Sequence, residues 1–168
     1  MTILRNLIVC GLMSFLAYAV VLAQDYPQKD SPEATWIQND RLFVVVPRNQ
    51  KCVTIFSIER NEWSKIEFDI ELAPEAKPIV YEDMVALKNG RYIFAYSAKT
   101  GTWDKLTLEG ESEAVPTLTK DCIHVRHKDT FYVFGIHSTS WTAVSLVTGD
   151  RVDIPKKPQD NPNAASSR

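Results

Sequence analysis

The stretch Phe94-Ala95-Tyr96-Ser97-Ala98-Lys99-Thr100-Gly101-Thr102-Trp103-Asp104-Lys105-Leu106 decides how this chain is read. Its apolar front half, its Thr-Gly turn and its alternating tail have the form of two short strands joined by a tight connection. The pattern occurs twice more without gaps. Phe56 is followed by Ser57 and then, six residues on, by Trp63; Phe134 is followed by Gly135 and then by Trp141. The three tryptophans are therefore 40 and 38 residues apart. Beyond each comes an aliphatic or aromatic residue at every second position: Ile66 and Phe68, Leu106 and Leu108, Val144 and Leu146. That is the period of a half-buried strand.

The front half of the unit repeats as well. Asp40, Asp83 and Asp121 stand before the short apolar runs Leu42 to Val46, Met84 to Leu87 and Cys122 to Val125. Turn residues follow each run, and Asn89-Gly90 between two apolar stretches is the strongest hairpin signal in the chain. Each unit reads as four short antiparallel strands, which predicts an all-β fold of three β-propeller-like units over residues 31–72, 73–111 and 112–154. A sheet of that size cannot bury both faces alone and must stack on its neighbours. Trp63, Trp103 and Trp141, with their partners Phe56, Tyr96 and Phe134, are accordingly expected to be structural, packed where one sheet meets the next. The short carboxylates of Asp40, Asp83 and Asp121 fit turns, where they accept from local backbone donors.

The segment from Phe94 to Leu106 resembles the corner between the third and fourth strands of a kelch-type β-propeller repeat, and Phe56 to Ile66 and Phe134 to Val144 resemble it more loosely. The resemblance spans about 120 residues, from Ser31 to Ile154. It implies blade-like sheets and carries over no active residue. The Gly-Gly pair of kelch units is absent; Val46-Pro47, Lys88-Asn89 and Arg126-His127 stand in its place. Propellers close with about four to eight blades, so three units leave an open stack. Two chains forming a six-bladed ring, a compact three-unit closure, or a docked partner would each cover it.

Outside the repeats the N-terminus is the informative part. Arg5 precedes an uncharged, largely apolar run from Leu7 to Ala23, and Val21 and Ala23 fit the positions that a signal peptidase reads. Residues 1–23 are thus expected to be a cleaved export signal, 24–30 a linker and 155–168 a polar, disordered tail. An uncleaved anchor is the alternative, although 17 residues fall short of the roughly 20 of a spanning helix. Cleavage removes Arg5 and no acid, so the mature chain keeps 18 basic and 21 acidic residues, a formal charge of −3. That balance carries no electrostatic footprint for nucleic acid. In an oxidising compartment Cys52 and Cys122 could pair or remain buried thiols.

No phosphate loop, nucleophile elbow or metalloprotease motif occurs. His124, His127 and His137 all fall in the third unit, and His124 with His137 could meet across a hairpin. The expectation is a non-catalytic, secreted or periplasmic interaction module without a cofactor, holding a protein or a glycan. Two other readings stand beside it. One is a small lectin using Trp36, Trp63, Trp103 or Trp141, and the other is an enzyme fragment on a propeller scaffold.

Overall fold

A computed structural model describes residues 33–69, 71–110 and 113–155. The expected signal, linker and nearly all of the expected tail lie outside these residues. The described chain contains thirteen strands and no helix, arranged as three antiparallel sheets. The first holds β1 (Thr35–Gln38), β2 (Leu42–Val46), β3 (Cys52–Ser57) and β4 (Glu62–Glu67) in sequence order. The second repeats that order with β5 (Ile79–Tyr81), β6 (Met84–Asn89), β7 (Tyr92–Ser97) and β8 (Thr102–Thr107). The third runs β9 (Thr117–Leu118), β10 (Cys122–His127), β11 (Thr130–Gly135), β12 (Thr142–Ser145) and β13 (Arg151–Val152).

The expected all-β, blade-like fold is therefore present, with one difference in the third sheet. After β12 the chain reverses through Gly149 at φ 78, and Arg151 pairs with Val144 to add a fifth strand. A two-residue strand has no period to read in sequence. Its pairing comes from the turn, where the Ser145 backbone N–H donates to the Asp150 carbonyl at 2.8 Å.

Ladder register aligns the three units residue by residue. Phe56 faces Trp63, Tyr96 faces Trp103, and Phe134 stands at the position facing Trp141. On the neighbouring strands, Leu42, Met84 and Cys122 pair with Ser57, Ser97 and Gly135. The residue before each of those is Arg41, Asp83 or Asp121, so Asp40 is not the structural equivalent of Asp83. The first β2–β3 connection is two residues longer than its counterparts, since 13 residues separate Phe43 from Phe56 against 11 between Val85 and Tyr96. That insertion, with the one-residue offset, hides the equivalence of Arg41 in the sequence.

Period-two alternation in the second sheet gives it two apolar faces. Val85, Leu87, Phe94 and Tyr96 point one way and join Leu42, Val44, Val53 and Ile55 of the first sheet in one core. Met84, Ala86, Ile93 and Ala95 point the other way and join Ile123, Val125, Phe134 and Trp141 of the third. Seven of those eight second-sheet side chains are essentially inaccessible to solvent, and Phe94 is nearly so. Among the described residues, the second sheet lies between the others and is the only one with both faces covered.

Candidate functional site

The same register defines an open face at each end of the stack. On the first sheet two rows run across the four strands: Gln38-Phe43-Phe56-Trp63 and Trp36-Val45-Thr54-Lys65. Residues directly opposite in a ladder share a face, and this face is turned away from the second sheet. Trp36 is 68% exposed and Trp63 58% exposed. Phe43, Val45 and Phe56 are half-buried. The Phe43 and Phe56 rings lie 6.5 and 5.1 Å from the Trp63 ring, which fixes the indole against the sheet. At one border the Lys65 ammonium donates to Glu67 at 2.5 Å. This contact raises the Lys65 pKa and lowers that of Glu67.

The repeat tryptophans thus keep one local geometry in three different environments. Phe56–Trp63, Tyr96–Trp103 and Phe134–Trp141 have ring separations of 5.1, 5.1 and 5.7 Å and interplanar angles of 48°, 47° and 51°. Trp141 is 5% exposed and belongs to the second core, and Trp103 packs at the edge of the first. Among the described residues, no sheet precedes the one that carries Trp63. Its expected burial between sheets does not occur, because its unit begins the stack.

The aspartates diverge in the same way. Asp40 and Asp121 are exposed, whereas Asp83 is buried. Asp83 accepts from Arg41 Nη1 at 2.5 Å, and Lys99 Nζ lies 3.5 Å from the same oxygen. Lys99 also pairs with Glu59. Glu82 also pairs with Arg41 at 3.4 Å, so a five-residue charge network ties the first sheet to the second. Between the second and third sheets the buried links are neutral or backbone-directed, and the one ion pair there among the described residues, Lys128–Glu109, is exposed. Asp104 accepts the Trp141 backbone N–H at 2.8 Å, and the Ser97 hydroxyl donates to the Ile136 carbonyl.

At the other end, the third sheet leaves His124, Phe131, Val133 and Val144 on its open face. A shallow hollow of about 380 Å³ is lined by Phe131, Val133, Val144, Gly149 and Arg151. His124 stacks on Phe131 with ring centroids 5.3 Å apart and pairs across the hairpin with Val133, so His137 is not its cross-strand partner. His127 Nε2 lies 3.2 Å from the Glu109 carbonyl. Among the described residues no three His, Cys, Asp or Glu side chains converge as a metal site. Cys52 and Cys122 are both free thiols, on different sheets. Among the described residues the two most exposed tryptophans, Trp36 and Trp63, both lie on the outer face of the first sheet. The sequence matches no protein-family model and no curated protein.

Proposed function

We propose that the protein is an exported, non-catalytic interaction module, built from kelch-like units, that binds another protein through the open aromatic face of its first sheet. One observation carries this reading: Trp36, Phe43, Val45, Phe56 and Trp63 form one ordered face at the end of a stack. Terminal units of stacked-repeat proteins ordinarily turn a polar face to solvent. A contiguous apolar patch rimmed by polar groups, here Gln38, Thr54 and Lys65, marks an interaction surface. Ordered aromatic rings supply large contact area at low conformational cost, as in binding hot spots.

A second reading rests on the exposure of two indoles on one face, which suits stacking on sugar rings. A photo-crosslinking residue at position 36 of the full chain, expressed in its own cells, separates the two. The first reading expects a protein adduct identifiable by mass spectrometry, on a chain that begins at Gln24. Fluorescence titration with oligosaccharides, giving a response lost in Trp63→Ala, would favour the glycan instead. If neither adduct nor titration response appears, this face is not a binding site.

A further inference from the structure

The geometry points to the third sheet of a second copy as the occupant of the first sheet's aromatic face, so that two chains close into one six-sheet ring. This rests on the protein-binding reading above and names the partner. In every unit one face carries the aromatic–Trp pair and the other carries a trio of apolar side chains. The second sheet lays its Trp103 face on Val53, Ile55 and Ile66 of the first. The third lays its Trp141 face on Ile93, Ala95 and Leu106 of the second. The next members of that trio, by register, are Phe131, Val133 and Val144, which line the hollow on the third sheet's open face. The stack thus ends in one unused aromatic face and one unused hollow of the kind that receives it.

Charge agrees with shape. At the first junction the residue before the second strand of each sheet is Arg41 on one side and Asp83 on the other, 2.5 Å apart. At the closing junction those positions are Asp121 of one chain and the partner's Arg41, again opposite in sign. Asp121 is exposed within its own chain. The positions of Glu59 and Lys99, paired at the first junction, become His137 and the partner's Glu59. Propellers close with about four to eight blades, and six is the only multiple of three in that range. Two chains related by a two-fold axis satisfy it.

Sedimentation velocity on the exported chain, over a wide concentration range, tests the closure. The expected result is a two-chain species. Trp63→Glu on one face and Val144→Glu on the other should each give a one-chain species with an unchanged far-UV spectrum. Mixing the two variants should restore a two-chain species, because one of its junctions then joins two intact faces. If Val144→Glu fails to fold, the exposed Asp121→Arg serves instead, weakening association by about tenfold through apposed arginines. A wild-type chain that stays single at every concentration overturns the closure, as does a dimer indifferent to Val144→Glu and Asp121→Arg. A protein adduct at position 36 on a single-chain species would defeat the closure and leave the binding reading intact.

Discussion

Trp63 and Trp141 occupy the same register position, yet one is 58% exposed and the other 5%. Their truncations should therefore act on different quantities. Trp141→Ala empties a packed site and should cost about 3–5 kcal/mol of stability. Trp63→Ala, measured by urea unfolding at concentrations where the chain is single, should stay within about 1 kcal/mol. Equal midpoints for the two variants would contradict the packing described. Tyr96 supplies a second test. Burial raises its pKa, so the folded chain holds the phenol proton more tightly than the unfolded chain does. Its contribution is then complete below the ordinary tyrosine pKa of about 10 and is lost as pH rises past it. Tyr96→Phe should flatten the alkaline loss of stability, read by thermal melts between neutral and strongly basic pH. At this scale the sequence displayed the aromatic pairs correctly, since their spacing is local. It could not display which tryptophan lacks a neighbour, because that depends on where the stack begins.

The hairpins show where reading the sequence succeeds and where it slips. Asn89-Gly90 marks a tight reversal, and Gly90 takes φ 58 with open space around it. In the third unit the same place is held by Lys128 at φ 52, a conformation costing a side-chain-bearing residue about 1–2 kcal/mol. Glycine would relieve that strain while giving up about 0.5–1 kcal/mol of chain entropy. The exposed Lys128–Glu109 pair, 3.6 Å apart, is too solvated to offset the difference. Lys128→Gly should thus raise stability by about 0.5–1 kcal/mol, seen as a higher denaturant midpoint with an unchanged slope. The first unit's longer connection, between Val46 and Cys52, is what displaced Asp40 from its apparent equivalents. Strand β13 stayed hidden because its two residues show no alternation, and only the turn at Gly149 brings them beside β12.

For the whole molecule the second sheet is decisive, because both cores are built on it. Leu87 belongs to one core and Ile93 to the other, and both are fully buried. Leu87→Ala and Ile93→Ala should each cost about 2–5 kcal/mol. In both variants unfolding should remain one transition by calorimetry, since neither outer sheet keeps a covered face once the second is lost. Two separate transitions would mean that the cores are independent. The stacking order was legible from the 40-residue period; the identity of each face was legible only through the ladder register.

The two ends of this stack differ from one another, and each internal junction lays an aromatic–Trp face on an apolar trio. Such an arrangement has a head and a tail, like a polymer of one monomer, so its length is free while its ends are not. Duplicating residues 73–111 within the chain would insert one more sheet whose apolar faces already match, with Asp83 then opposite a second Asp83 in place of Arg41, and the terminal surfaces would be unaltered. Over generations the gene for such a protein can lengthen or shorten by whole units while conserving what it presents to a partner. What such a change would alter is the number of sheets in the stack, and with it the distance between its two terminal surfaces.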